Sequence, residues 1–410
     1  MTKVTLVAIM LLLVSAPWVW ATTGQEPHPP TSLEIPFLER EALGARWTAM
    51  GGAALAAVDD GSAMAINPAG LGRIRRIEVL GSIQKQSLDV DATWFGSKTT
   101  RSLSSTALRE FTVSFPFPTY RGSFVMAGSL FRRNVIDAYT VRRGTDPDGD
   151  VLNRDSEERT GLVTAWSGGM ALQVSPEAFV GFEIHGFTGN YRETDMWDVW
   201  GSCDDVEFAW DTDVGGYGAS MGVQYEPIPL VELGAVLKTP QRITLKGDIS
   251  QPDGGTAGCP QRIYSIDDTA TLPYSMGFGV ALAPATFLVT FDLAYTDWHE
   301  LKYPGPTRDP VTDEYIYEPT TDIRLGVEYG LVNLPLRFRA GYARVPLELN
   351  WFEMKKDRTS ISFGAGAVVQ SALTFDVAWQ RTSFERESPA DSYSEKRTND
   401  RLLLTLAYRF

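Results

Sequence analysis

The sequence predicts an all-β protein: a transmembrane antiparallel β-barrel of about 14 strands, plugged from inside by an N-terminal, mostly helical hatch. Three observations predict it. Apolar and polar residues alternate with a period of two along most of the chain after Arg73. Tight connections alternate with long polar ones, as in barrels that turn short on one side of a membrane and loop long on the other. The first residues read as a secretory signal, and no later run reaches the roughly 18 apolar residues of a spanning helix, so a closed barrel is the one way the remainder can cross a bilayer.

Lys3, the apolar run Val4 to Val14 and the small-residue end Val19-Trp20-Ala21 supply the three regions of a signal peptide over residues 1–21, with cleavage expected after Ala21. Ser15 and Pro17 interrupt a run already too short to span a membrane. Residues 22–40 carry Pro27, Pro29, Pro30 and Pro36 and read as an extended arm. Residues 41–75 turn Ala-, Gly- and Met-rich, with short helical stretches broken at Asp59-Asp60-Gly61-Ser62 and at Asn67-Pro68-Ala69-Gly70. A barrel this wide is not filled by its own side chains, and small residues permit close backbone packing, so this segment is expected to plug the lumen.

The barrel is expected over 76–410, with strands near 76–90, 108–118, 121–136, 160–174, 177–190, 207–226, 229–249, 263–283, 285–298, 320–331, 334–345, 358–370, 372–384 and 398–410. In the last, Leu402, Leu404, Leu406, Tyr408 and Phe410 form an apolar face; Phe287, Val289, Phe291, Leu293 and Tyr295 form another. Tight turns fall at Pro118-Thr119-Tyr120, Ser175-Pro176-Glu177, Pro227-Ile228-Pro229, Ala283-Pro284-Ala285, Leu331-Val332-Asn333 and Gln370-Ser371, and long polar loops at 137–159, 191–206, 250–262, 299–319, 346–357 and 385–397. Tyr120, Tyr225, Tyr329, Tyr408 and Phe410 near the turns, and Trp197, Trp200, Trp298 and Trp351 near the loops, fit two interfacial girdles. A secreted β-sandwich also alternates, but needs neither such long strands nor this short-long rhythm.

Composition narrows function by exclusion. With 43% hydrophobic and 21% charged residues the chain is neither disordered nor a coiled coil, and its net charge of -14 opposes nucleic-acid binding. Its two cysteines, Cys203 and Cys259, fall in long outward loops in an oxidising compartment and are expected to form a disulfide.

The chain resembles the FadL/TodX family of outer-membrane transporters for long-chain fatty acids and other hydrophobic compounds. The resemblance rests on Gly51-Gly52-Ala53-Ala54 through Asp59-Asp60 to Asn67-Pro68-Ala69-Gly70-Leu71, on Leu272-Pro273-Tyr274-Ser275 leading to Tyr295-Thr296-Asp297-Trp298, on Arg339-Ala340-Gly341-Tyr342, and on the terminal Tyr408-Arg409-Phe410. It implies a 14-stranded barrel with an N-terminal hatch, a ligand site in the lumen, and sideways release through a kinked third strand. The Pro-rich arm departs from that pattern.

Several constellations invite functional readings. Asn67, Pro68 and Ala69 make a stiff corner at the end of the small-residue segment and are expected to gate the plug. Gly128, between Met126 and Leu130 on the lipid face of the third strand, is the candidate for a lateral opening. Arg324, Arg337 and Arg339 against Asp292, Glu328 and Asp376 form a charged ladder on the lumen wall that either stiffens the barrel or meets a carboxylate headgroup. Asp146, Asp148, Asp150 and Glu157 have calcium-loop spacing, but Val151 stands where the loop needs Gly, which favours an acidic solvated loop. His185 shares a face with Glu183 near Ser167, but without a nucleophile motif this reads as a hydrogen-bond network rather than a hydrolase.

These features converge on a channel that passes small hydrophobic molecules without chemistry or cofactor. It is expected as a monomer in the outer membrane of a Gram-negative-type bacterium, surrounded by lipid and lipopolysaccharide and inserted by the barrel-assembly machinery. A barrel of similar fold that binds a partner or serves secretion is the alternative.

Overall fold

The computed structural model describes residues 43–94, 96–145, 151–197, 206–252, 261–302, 307–308, 313–350, 354–370, 372–388 and 393–410. The expected signal peptide and Pro-rich arm lie outside the described residues, as do Cys203, Cys259, Asp146, Asp148 and Asp150. Glu157 lies on a described strand, but its side chain is outside the description.

Fourteen antiparallel strands follow one another around a closed barrel. They are β1 (Glu78–Trp94), β2 (Ser97–Phe117), β3 (Phe124–Thr145), β4 (Val151–Ser175), β5 (Ala178–Trp197), β6 (Val206–Ile228), β7 in two pieces (Val231–Lys238 and Gln241–Pro252), β8 in two pieces (Gln261–Leu272 and Ser275–Leu282), β9 (Phe287–Thr296), β10 (Thr320–Gly330), β11 (Leu336–Val345), β12 (Met354–Val369), β13 (Leu373–Ser388) and β14 (Tyr393–Arg409). Pairing of β1 with β14, from Glu78↔Arg409 to Trp94↔Tyr393, closes the circle. No helix among the described residues is long and apolar enough to cross a membrane.

Alternation explains the wall. On β14, Leu402, Leu404, Leu406 and Tyr408 are exposed outward, while Arg401, Leu403, Thr405 and Ala407 are buried inward. Tyr225, Tyr329, Tyr408 and Phe410 are exposed near the tight turns. Trp298 departs from its expected place in the outer girdle: it is buried, and its Nε1 donates to Thr320 Oγ1 at 3.0 Å. An indole N–H needs a partner once buried, and the Thr320 hydroxyl provides it inside.

Two other expectations are corrected. Much of the polar sequence at 137–159, 191–206 and 385–397 is strand rather than loop, as β3 reaches Thr145 before β4 starts at Val151. Above a membrane both faces of a strand meet water, so alternation disappears while the backbone ladder continues. Conversely, β7 and β8 are interrupted at Thr239-Pro240 and Pro273-Tyr274, because proline has no N–H for a ladder. The pairs Lys238↔Ser275 and Gln241↔Leu272 flank both breaks, which therefore lie side by side.

A slit opens elsewhere. Among the described residues, strands β2 and β3 pair from Glu110↔Phe131 to Phe117↔Phe124, whereas β3 stays paired to β4 as far as Thr145↔Val151. At the foot of the slit, an Arg109 guanidinium nitrogen donates to the Arg132 carbonyl at 2.6 Å.

Inside lies the hatch: α1 (Ala45–Ala49), α2 (Ala63–Ile66) and a 3-10 turn (Pro68–Arg73), joined by turns. Trp47, Met50, Ala54, Val58, Met64 and Leu71 are fully buried. The wall makes room by omitting side chains. A Cβ at Gly341 would overlap the Gly51 amide, one at Gly234 the Leu55 carbonyl, one at Gly222 the Asn67 side chain, and one at Gly181 the Pro68–Ala69 peptide. These inward-facing glycines on β11, β7, β6 and β5 form a groove in which the hatch backbone lies.

Candidate functional site

Between hatch and wall is a cavity of about 180 Å³. Leu43, Leu55 and Ile66 line it from the hatch; Val236, Leu272, Pro273, Ala294 and Trp298 line it from the wall; Lys238, Asp292, Asp322 and Arg324 supply charge. Toward the long-loop side the lumen is filled by an apolar cluster that includes Phe131, Phe187, Ile243, Tyr317 and Leu349. The bridge Tyr317↔Leu349 ties the segments after β9 and β11 together across that mouth.

Asp292 and Arg324 are register partners on β9 and β10, yet do different work. Asp292 Oδ2 accepts the hatch amides of Ala54 and Leu55 at 2.6 and 2.9 Å. Arg324 instead donates to Asp322 Oδ2 at 2.9 Å. The rest of the predicted ladder forms one network, buried except at Arg337. Arg339 donates Nε to Glu328 Oε2 at 2.6 Å and Nη1 to Asp376 Oδ1 at 2.6 Å, and Arg337 adds a bond to Glu328 Oε1 at 3.0 Å. Arg46 of the hatch, absent from the predicted ladder, joins it through Glu328 at 3.2 Å and Asp59 at 2.6 Å. Each buried charge is thereby paired, the condition on which such groups are tolerated. The network spans hatch and wall, so it fixes one on the other.

A second polar cluster holds the hatch turn at the tight-turn end. Trp47 Nε1 donates to both oxygens of Asp60 at 3.2 and 3.1 Å, the Gly61 amide to Glu78 Oε1 at 2.7 Å, and Ser62 Oγ to Glu110 Oε2 at 3.0 Å. Burial, reinforced by the Glu78 and Asp59 carboxylates, pushes the Asp60 carboxyl up to about 7 although Arg46 and Arg409 oppose the shift.

Asn67 is fully buried. Its Nδ2 donates to the Leu55 carbonyl at 2.7 Å and the Val223 carbonyl on β6 at 3.2 Å, and its Oδ1 accepts the Ala69 amide at 3.2 Å. Pro68 then opens the 3-10 turn. This corner pins the end of the hatch both to its middle and to the wall.

Gly128 pairs with Val113 on β2 and Gly168 on β4, on the outer face, below the foot of the slit at Phe131. His185 Nδ1 lies 3.1 Å from both Glu183 oxygens, and Ser220 Oγ donates to Glu183 at 3.0 Å. Ser167 is the register partner of His185, but among the described residues its Oγ and the His185 Nε2 each lack a hydrogen-bond partner. No hydrogen bond joins the two side chains in this structure.

No family model and no curated protein matches the sequence. Solved structures do. A FadL homologue of Pseudomonas aeruginosa is 16% identical, with a TM-score of 0.66 over 92% of this chain and 100% of that one. The toluene transporter TodX of P. putida is 14% identical, with a TM-score of 0.66 over 90% and 99%. The toluene transporter TbuX of Ralstonia pickettii is 15% identical, with a TM-score of 0.62 over 90% and 99%. This chain thus has the fold of the FadL and TodX barrels, the fold expected from its hatch and terminal motifs.

Proposed function

We propose that the protein is an outer-membrane channel for passive uptake of small hydrophobic molecules. The observation that carries this reading is the cavity held between hatch and wall in a barrel whose long dimension is otherwise plugged. A dry apolar cavity of ~150 Å³ accommodates benzene. The cavity here matches that volume but sets Lys238, Asp292, Asp322 and Arg324 beside its apolar lining, so by size it takes a single aromatic ring or a section of an alkyl chain laid against its apolar side. Burial supplies the affinity, at about 0.8 kcal/mol for each CH₂ removed from water. The lipophile's own concentration gradient drives net movement.

The hatch fills the straight path to the periplasm, so release is sideways, through the slit between β2 and β3 beyond Glu110↔Phe131. Asn67, Pro68 and Ala69 gate the hatch side of that route, and Gly128 keeps the outer face of β3 free of a side chain beneath it. The Arg339–Glu328–Asp376 network stiffens the wall rather than receiving a headgroup, since Arg339 is buried and bonded to both acids. The protein works as a monomer among outer-membrane lipid and lipopolysaccharide, after insertion by the barrel-assembly machinery. Cys203 and Cys259 are paired, which thiol labelling of the denatured, unreduced chain checks.

Mass spectrometry of ligands recovered with the detergent-purified protein tests the function. A bound lipophile, exchangeable for toluene or a fatty acid, is expected. Recovery of a stoichiometric protein partner with no lipophile would replace the channel by a partner-binding barrel.

A further inference from the structure

We infer that the barrel has a second side port, between β8 and β9, through which lipophiles enter the cavity from the outer face of the membrane, with the Trp298 turn as its door. This inference rests on the channel reading and adds a point of admission to it.

The breaks in β7 and β8 lie side by side, but the wall repairs only one of them. At Thr239 the β6 ladder is patched: the Thr239 amide donates to the Ala219 carbonyl at 2.9 Å, and the Ala219 amide to Thr239 Oγ1 at 3.1 Å. Across the other edge, β8 pairs with β9 only from Ser275↔Thr296 to Leu282↔Val289. Beyond Pro273, the backbone pairing among the described residues is a single bridge, Thr271↔Lys302. Between the last ladder pair and that bridge, the barrel is closed by a one-turn 3-10 segment, Trp298–Glu300. The cavity lies directly behind it, lined by Leu272, Pro273, Thr296 and Trp298.

A wall section closed by one bridge, one side-chain hydrogen bond and the packing of Trp298 and Leu301 opens more readily than a continuous ladder, because fewer backbone hydrogen bonds must break. Trp298 contributes Nε1 to Thr320 Oγ1 and an indole that seals the cavity. Swinging the turn outward costs that bond, the Thr271–Lys302 bridge, the burial of Trp298 and Leu301 and the stacking of His299 on Tyr315, and leaves the strand ladders of the barrel intact.

The port also sits at the right height. Below the breaks the outward residues Leu237, Phe278 and Tyr295 are apolar and exposed. Above them the exposed residues of β7 are Arg242, Lys246 and Asp248. The port therefore lies where the apolar belt gives way to the headgroup zone, the level at which small aromatics collect. The alternative way in, from above, crosses Phe187, Tyr317 and Leu349, in the same packed cluster that includes Trp298 and Leu301.

Thr271 and Lys302 exchange both backbone hydrogen bonds, at 2.7 and 3.0 Å, so their Cα atoms have the separation a disulfide needs. In the full chain, Thr271→Cys/Lys302→Cys is oxidised, the 271–302 linkage is confirmed by peptide mass spectrometry, and uptake of labelled toluene by proteoliposomes is followed. The expected result is loss of uptake above protein-free vesicles, restored by dithiothreitol. Undiminished uptake with the linkage in place would overturn the port while leaving the channel reading standing. A wild-type protein that takes up no lipophile would overturn both. Trp298→Ala provides the opposite test without a cross-link: initial uptake should rise, and an unchanged rate in a folded variant contradicts a door at this position.

Discussion

The Asp292 carboxylate accepts the Ala54 amide at 2.6 Å, so one side chain both lines the cavity and holds the hatch against β9. Ligand space and plug are therefore coupled at a single residue.

Asp292→Ala leaves the amides of Ala54 and Leu55 without their acceptor. Each buried unpaired N–H costs about 1–3 kcal/mol. Hydrogen exchange over residues 50–58 should accelerate by roughly tenfold or more, while the barrel keeps its heat-modifiable gel mobility. Unchanged protection would show that the hatch is held elsewhere.

Docking of the hatch should weaken as pH rises. With its carboxyl near 7 in the fold against an ordinary 3.8, Asp60 binds its proton more tightly when the hatch is docked. Its stabilising contribution is fully present below the ordinary value and is lost as pH rises through about 7. Limited proteolysis of the hatch should be slower at pH 5 than at pH 8, and Asp60→Asn should reduce the difference. Equal pH profiles for the two proteins would contradict this.

Filling the glycine groove should displace the hatch. Gly222→Val drives a side chain into Asn67 and Gly181→Leu one into the Pro68–Ala69 peptide, where overpacking costs about 1–3 kcal/mol or more. Gly128→Ala is the control, since its Cβ would meet only the Ser167 carbonyl at 4.0 Å. Protease sensitivity of the hatch should rise in the first two and stay level in the third; three equal digests would refute the groove.

Much of this was legible in the sequence. Strand number and pairing followed from alternation in segments such as 287–296 and 402–410, because the inward and outward environments differ sharply at membrane depth. Glu328, Arg339 and Asp376 could be placed together, since cross-strand neighbours of opposite charge share a face. Asp292 faces Arg324 across β9 and β10 as the ladder expected, but its hydrogen bonds go to backbone amides of the hatch, which carry no side-chain signature. The wall breaks had a signal, Pro240 and Pro273 inside otherwise regular strands. So did the groove, in glycines at inward positions of strand after strand. Neither pattern reveals by itself what approaches from the other side.

Asn67→Ala with Pro68→Ala removes the bonds to Leu55, Val223 and Ala69 and frees the corner. The double variant should fold with normal gel mobility and show an altered uptake rate. Normal transport in that variant would reduce the corner to a connector.

The most direct measurement fills the cavity and leaves the barrel alone. Ala294 faces the lumen and lines the cavity, so Ala294→Trp places an indole where the ligand would sit. Labelled toluene and fatty acid are offered to proteoliposomes carrying the wild-type or the variant protein, each with barrel folding verified by gel mobility. Uptake above protein-free vesicles in the wild type, abolished in Ala294→Trp, is the predicted result. Wild-type uptake no greater than that of protein-free vesicles, or uptake indifferent to the filled cavity, would contradict a channel that works through this site.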